Sequence, residues 1–455
     1  MPGGFAYNVA MSKTTFGNRM RGDVMPRIYA WLMAAGVVLM WCAAGAADEV
    51  VRVPTITGRA GNVMPFAIPD FAGDSSAQLA QIVRRNLVKY GTFVEAPISA
   101  SDMRTLDAAD RSKGTVHFRN WANLGSQLLG KGTVQSGGEV SVEFALYQAR
   151  TGQRLFGKRY SAAAGATRRI AHMIADDIVE AVLKEKGFFA SRLLYVRASG
   201  ASRNVIMSDS DGANSRALTR SSTLCVFPRW FPSGDAIVFT GYFEGRPIVY
   251  RMELRSGAMT KLVNFPGMNT SAAVSPDGGR VAVILDKDGM PELYVVDLRG
   301  GPRVRLTRGR AAESTPSWSP DGRQIVFSSE EGSGRPQIYV INASGGTPQR
   351  ISNPAFSRYC TSPAWSPDGK KIAYVAQIGG SFNICLYDLR ARQTYRLTND
   401  PSNDEEPSWA RNSRHIAFTR GSLGGGGRLM LVDSETGKVS VLINEQGCSH
   451  PAWQP

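Results

Sequence analysis

The segment Pro363-Ala364-Trp365-Ser366-Pro367-Asp368-Gly369-Lys370-Lys371-Ile372-Ala373-Tyr374 recurs through the second half of the chain, and no other feature restricts the possible folds as strongly. Counterparts run from Pro316 to Phe327, from Pro228 to Phe239 around Trp230, and from Pro407 to Phe418 around Trp409. A degenerate copy spans Ala272 to Val283, and Pro451-Ala452-Trp453 is a last copy that stops after its marker. The marker positions are Trp230, Val274, Trp318, Trp365, Trp409 and Trp453, with spacings of 44, 44, 47, 44 and 44. A period near 44 is that of a four-stranded propeller blade.

Local chemistry agrees. Proline presets φ, and Asp and Gly tolerate tight-turn geometry, so S-P-D-G reads as a hairpin. The alternation that follows, as in Ile372-Ala373-Tyr374, supplies a second strand. Runs such as Gln337 to Ile341 and Glu292 to Val296 supply a third, and Arg305-Leu306-Thr307, Arg350-Ile351-Ser352 and Arg396-Leu397-Thr398 end a fourth. Trp453 can supply only a first strand to its own blade. The three missing strands stand ahead of Trp230, at Leu193 to Val196, Asn204 to Met207 and Arg216 to Thr219. The expected architecture is therefore a six-bladed β-propeller closed by the C-terminal strand. Closure leaves only short, protected strand edges, which suits a monomer.

At 455 residues, 43% hydrophobic and 20% charged, the chain has ordinary globular composition and room for a second domain. Met25 to Ala47 combines Arg27, an interrupted apolar run and small residues from Ala44 to Ala47, which reads as a secretory signal cleaved after Ala46 or Ala47. A membrane anchor is the weaker reading, because the run falls short of the roughly 20 residues that span a bilayer. Residues 1–24 resemble neither fold nor targeting segment, so Met25 is the expected start, with Met20 or Met11 behind it. The domains expected are 1–47 as extension and signal, 48–190 as an N-terminal α/β domain, and 191–455 as the propeller.

Within the α/β part, Val50 to Ile56 and Val63 to Ile68 read as strands, and Ser75 or Ser76 as the cap of a helix running to Tyr90. A helix near Phe118 to Leu124 and a strand from Leu128 to Gln135 follow. Val140 to Tyr147 pairs with Arg154 to Tyr160 across Thr151-Gly152, and Thr167 to Lys186 is an amphipathic helix ended by Gly187. Phe188 to Arg192 reads as a short link.

Export makes disulfides chemically possible. Cys225, Cys360 and Cys448 each precede a marker by five residues and so occupy equivalent loops. A Cys225–Cys448 bridge would lock the ring, provided the Cα atoms come within about 7 Å. Cys385 reads as a buried free thiol, and Cys42 leaves with the signal. The formal charge is +15; residues 1–47 hold four cations and one acid, which leaves about +12. Lysines and arginines are scattered through turns without a basic run, so nucleic acid is not the expected partner. Anionic envelope polymers or an acidic protein fit better.

No G-x-S-x-G, H-E-x-x-H, Walker loop or cysteine pair at metal spacing is present, and the chain reads as non-enzymatic, with no cofactor and no catalytic or metal residue. His172 with Asp176 reads as a solvated helix-face pair, Gly424 to Gly427 as a loop, and Glu405-Glu406 as acids that could face the channel. The first residues after cleavage, Asp48-Glu49-Val50-Val51-Arg52-Val53-Pro54-Thr55-Ile56-Thr57, alternate as an edge strand would, or as a segment that pairs with a partner's sheet.

An exported α/β region followed by six blades carrying P-x-W-S-P-D-G and ending at P-A-W-x-P resembles the TolB family, periplasmic components of the Tol-Pal system. The resemblance covers residues 48–455. It implies an adaptor that supports envelope integrity and outer-membrane constriction in cell division, and that could meet other envelope proteins. The face carrying loops into the first strands would bind the lipoprotein Pal, through Met268, Asn269, Thr270, Ser314, Thr315, Ser362, Glu406 and His450. The tail from Asp48 to Thr57 would bind the C-terminal domain of TolA. Val274 in place of Trp, and Ala410-Arg411-Asn412-Ser413 in place of S-P-D-G, depart from the repeat. Two other readings compete: a propeller holding a sugar or metal in its channel, and the gating propeller of a peptidase system, which lacks its hydrolase domain here.

Overall fold

The computed structural model describes residue 55 and residues 63–455 apart from 75, 164, 287, 288, 333 and 423–425. The signal segment and the tail around Thr55 lie outside them. Among the described residues no helix is long and apolar enough to cross a membrane.

The N-terminal part is a five-stranded sheet with helices on both faces. Its strands are β1 (Met64–Ala67), β2 (Phe93–Glu95), β3 (Leu128–Ser136), β4 (Glu139–Gln148) and β5 (Arg154–Ala163), ordered β2-β1-β3-β4-β5. β1 is parallel to both neighbours, and β3 to β5 form an antiparallel meander. Helices α1 (Gln78–Tyr90) and α4 (Thr167–Leu183) cover one face, packing Leu79, Ile82, Val83, Ile170, Ile174 and Ile178 onto Phe66, Ile68 and Phe144. Helices α2 (Ala100–Lys113) and α3 (Phe118–Asn123) cover the other, where Trp121 packs on Ala67 and Leu129 with Met103, Leu106 and Phe118. The alternation Phe66, Ala67, Ile68 sends successive side chains to opposite faces.

Local details correct the sequence reading. Ser76 does not cap α1: the position before the helix is Ala77 in left-handed conformation, and Asp74 accepts the Leu79 and Ser76 amide hydrogens. Helix α4 ends at Leu183, with Lys184 in left-handed conformation, three residues before the expected stop. The helix α2 was not expected at all, although Ser99 caps it by accepting the Asp102 amide hydrogen. Phe188 and Phe189 are fully buried core residues rather than a mere link.

From Arg192 onward the chain is antiparallel sheet. Four sheets have four strands each: β9 (Cys225–Trp230) to β12 (Met259–Val263), β13 (Met268–Val274) to β16 (Val304–Arg305), β17 (Glu313–Trp318) to β20 (Gln349–Arg350), and β21 (Cys360–Trp365) to β24 (Gln393–Arg396). A seven-stranded assembly joins β25 (Asn403–Trp409), β26 (His415–Ser422), β27 (Gly426–Asp433) and β28 (Val439–Trp453) to β6 (Arg192–Ser199), β7 (Ser202–Asp209) and β8 (Arg216–Ala217). The first half of β28 pairs with β27, and its last residues, Cys448 to Trp453, pair with β6. The S-P-D-G hairpins work as their chemistry predicts. In one, Ser366 Oγ donates to Asp368 Oδ1 and accepts the Lys371 amide hydrogen, while Gly369 takes φ 75°. Ser319 and Asp321, and Ser275 and Asp277, repeat the arrangement.

Neighbouring sheets meet through their markers. Trp230, Trp318 and Trp409 each donate Nε1–H to the carbonyl preceding the previous marker, on Ala452, Ala273 and Ala364, at 2.9 Å in each case. Trp365 donates within its own turn, to Gly369 at 3.3 Å, and Trp453 Nε1 is buried without a partner. Trp453 instead lies edge-on to Phe188 of the N-terminal part, with ring centroids 5.4 Å apart.

The N-terminal part sits on the turn that departs from the repeat. Arg411 donates to the Gly187 carbonyl at 2.6 Å and to Asp176 at 2.7 Å, while Asp176 also accepts the Phe189 and Ala190 amide hydrogens. A Cβ on Gly187 would lie 2.1 Å from Asp176 Oδ1, so only glycine allows this approach. Arg414 forks onto Asp433 at 2.9 and 2.8 Å and reaches Glu185 and Thr92. His415 donates Nε2–H to the Tyr90 carbonyl at 2.9 Å and accepts from Asn412 at Nδ1. His172 and Asp176 are thus not a solvated pair: both are buried, and they have separate partners.

Candidate functional site: the inner-strand bulges

The residue three before each marker is Phe227, Ser271, Thr315, Ser362, Glu406 or His450, and all six have positive φ, between 48° and 59°. Left-handed backbone is uncommon for any residue with a Cβ and costs about 1–3 kcal/mol. At each of the six, the register between the first strand and its neighbour shifts. Each first strand therefore carries a β-bulge at one repeat position. A bulge re-aims the side chains beside it, which is how a strand presents residues its pleat would turn away. First strands of neighbouring sheets also pack against one another, which brings the bulges of adjacent sheets together.

The side chains at and beside the bulges differ from sheet to sheet. Glu406 Oε1 meets His450 Nε2 at 2.9 Å, and Glu406 Oε2 accepts from Thr419 at 2.9 Å and from the His450 amide at 2.5 Å. Burial alone would raise the Glu406 carboxyl; the His450 charge and these hydrogen bonds outweigh it and hold it below its usual range. Arg229 lies within reach of the same charge, and Phe227 stands edge-on to the His450 ring at 4.6 Å. Elsewhere hydroxyls meet, with Thr315 Oγ1 3.1 Å from Ser328 Oγ and Thr240 Oγ1 3.4 Å from Thr270 Oγ1.

The residues singled out from sequence fall into three groups. Thr315, Ser362, Glu406 and His450 are bulge positions; Met268, Thr270 and Ser314 flank bulges in β13 and β17. Asn269 is fully buried, its amide holding Phe265, Gly267 and Pro247 backbone, so it shapes the loop instead of lining the surface. Of the tail only Thr55 is described: it is exposed and makes an isolated parallel bridge to Arg396 of β24. Phe227, Arg229 and Ser271 were missed. The signal that finds Phe227 and Ser271 is the constant offset of three from the marker, which holds even where Val274 replaces Trp.

The cysteines, Gly426-Gly427 and the group around His172 offer no open site. Cys225, Cys360, Cys385 and Cys448 are all buried free thiols, so the Cys225–Cys448 bridge is not formed. The three at repeat positions lie within strands, not loops. Gly426 and Gly427 belong to β27. His172, Asp209 and Asp211 bring ligand atoms within 4.8 Å of one another, but Arg168 holds Asp211 at 2.5 Å and Arg85 reaches it at 3.4 Å, so guanidinium groups already occupy the place of an ion.

A family model described as the TolB beta propeller domain matches residues 179–455, and one described as the TolB amino-terminal domain matches residues 54–155. The chain is similar to TolB from Acinetobacter baumannii, at 24% identity over 90% of this chain and 99% of that one, with a TM-score of 0.75; at that identity the likeness shows the fold. It also matches a putative TolB from Agrobacterium tumefaciens, at 19% identity over 57% of this chain and 91% of that one, with a TM-score of 0.48. With both family models matched, the larger over more than half its length, this chain belongs to the TolB family.

Proposed function

We propose that this protein is a non-enzymatic periplasmic adaptor of the Tol-Pal system, binding the lipoprotein Pal at the inner-strand bulges and the C-terminal domain of TolA through the tail from Asp48 to Thr57. The observation that carries the reading is the set of six positive-φ bulges at one repeat position, five of them at polar or charged residues. Strain repeated at one position of every unit suits a docking surface. Met268, Thr270, Ser314, Thr315, Ser362, Glu406 and His450 would make contacts there, and Asn269 would hold the loop behind them.

In this reading the seven-stranded assembly is two blades sharing β28, and the ring has six blades. First strands neighbour each other in the cycle β9, β13, β17, β21, β25, β28 and back to β9, which supports closure. The domains divide at 47 and 190. Tail and bulges would be coupled by linkage, a packed or released tail changing affinity at the bulges through its differential contacts. The test is a pull-down from solubilised envelope with the chain from Asp48, beside a version lacking Asp48 to Thr57. Recovery of Pal by both and of TolA only by the longer version is expected. Recovery of neither, or of TolA by both, overturns the reading.

A further inference from the structure

The residue five before each marker is Cys225, Asn269, Glu313, Cys360, Asp404 or Cys448, and all six are buried. Repeat symmetry puts them in one environment, so their differences are informative. Buried thiols need no partner. Asn269 has its amide fully engaged by backbone. Asp404 has both oxygens held by the Arg420 guanidinium, at 2.6 and 2.8 Å, across the strand pair β25–β26. Glu313 is only 6% exposed, and its Oε2 is buried with no hydrogen-bond partner.

The reason is visible in the register. The cross-strand neighbour of Asp404 is Arg420; the cross-strand neighbour of Glu313 is Ser329. Glu313 is thus a buried acid at this position whose Oε2 meets no hydrogen-bond partner among the described residues. Nearby Glu292 is already engaged by Arg305, and Glu330 and Glu331 add negative charge. Burial pushes the Glu313 carboxyl up to about 8, against a hydrogen bond from Ser329 and with the three neighbouring glutamates adding to it. At neutral pH the acid is therefore protonated, and a cation seated on it would release that proton to solvent, because the ionised form is costly unless something pairs with it.

Glu313 also lines a cavity of about 660 Å³, together with the 305–311 connection, the turn at Glu330 to Gly332 and the turn at Gly345 to Pro348. That volume is of the size that holds small ligands. Arg308 and Arg310, both exposed, belong to the same lining. We propose that this cavity binds a guanidinium-bearing ligand, seated on Glu313 as Arg420 is seated on Asp404, with Arg308 and Arg310 receiving a carboxylate at the ligand's other end. The ligand class is arginine-like, either the free amino acid or a peptide ending in arginine. A planar guanidinium is preferred because its paired donors match a carboxylate.

The test is calorimetric titration of the chain from Asp48 with L-arginine, with the tripeptide Gly-Gly-Arg, and with citrulline, which has the same shape without the charge. At least one of the first two binds saturably, citrulline does not, and Glu313→Gln weakens binding by about tenfold or more. Ser329→Arg rebuilds the sibling's guanidinium within the chain, so it abolishes ligand binding and raises the melting temperature. The tighter of the two arginine probes identifies the source as free or peptide-borne. Failure of both, equal binding of citrulline, or undiminished binding by Glu313→Gln overturns the proposal, and none of these outcomes bears on Pal or TolA.

Discussion

Two kinds of seam hold this molecule together. Between neighbouring sheets the seam is one small device repeated: an indole N–H to the carbonyl before the previous marker, as in Trp230, Trp318 and Trp409. Between the N-terminal part and the turn at 410–415 the seam is used once and is built from charge and aromatic rings, with Arg411 on Asp176, Arg414 on Asp433 and Glu185, and His415 against Tyr90 at 4.6 Å. The repeated seam spreads stability over many modest bonds. The unique seam concentrates it in a few buried groups, and so should be the easier to break.

The largest effect expected is from Arg414→Ala. It leaves Asp433, 3% exposed, without its counter-charge, and breaking a buried pair by removing one partner costs about 3–5 kcal/mol. Chemical denaturation should show a lower midpoint and the N-terminal part unfolding ahead of the propeller; one cooperative transition at an unchanged midpoint would mean that the seam is not where stability is concentrated.

The next effect depends on pH. Burial holds the His415 imidazole at about 4, against 6.5 in an exposed chain. Between those values the unfolded chain binds a proton that the folded one does not, so stability falls as pH drops from 6.5 to 4 and is fully present above. The full loss is about 3 kcal/mol. His415→Gln keeps a donor for the Tyr90 carbonyl and removes the titration, so denaturation midpoints measured across this window should slope less steeply in the variant. Equal slopes would remove His415 from the account.

The smallest effect sharpens the repeated seam. Trp409→Phe deletes a bond and strands the Ala364 carbonyl, whereas Trp453→Phe deletes only an indole N–H that has no partner. Trp409→Phe should be the more damaging by about 1–3 kcal/mol. Equal losses would show that the indoles act by packing alone.

Much of the fold was legible because its causes are local and repeated. The S-P-D-G turns, the period of 44 and the late completion of the last sheet by β28 and β6 follow from residues close in sequence, or from counting. Helix α2 was not legible, and the reason is chemical. Its buried positions are Asp107 and Asp110, held by Lys131 at 2.7 and 2.9 Å and by Trp121 Nε1 at 2.9 Å, so acids interrupt the short apolar face of Met103 and Leu106. Four of the six bulge positions, Thr315, Ser362, Glu406 and His450, were legible as residues just ahead of a marker, while Phe227 and Ser271 needed the constant offset of three. The departure at Ala410-Arg411-Asn412-Ser413 looked like decay of the motif, and is the place where another part of the chain docks.

By itself the sequence determined the repeat, the turn chemistry and the phase that puts one residue of each unit on a bulge, because these depend on interactions within a few residues or on spacing. The tertiary structure alone decided that the cysteines stay apart, that Arg411 to His415 receive the N-terminal part, and that Arg420 holds Asp404 while Glu313 Oε2 meets no partner among the described residues. Those outcomes depend on which side chain stands across a strand pair or a domain seam, and a buried charge is stabilised or stranded by that one neighbour.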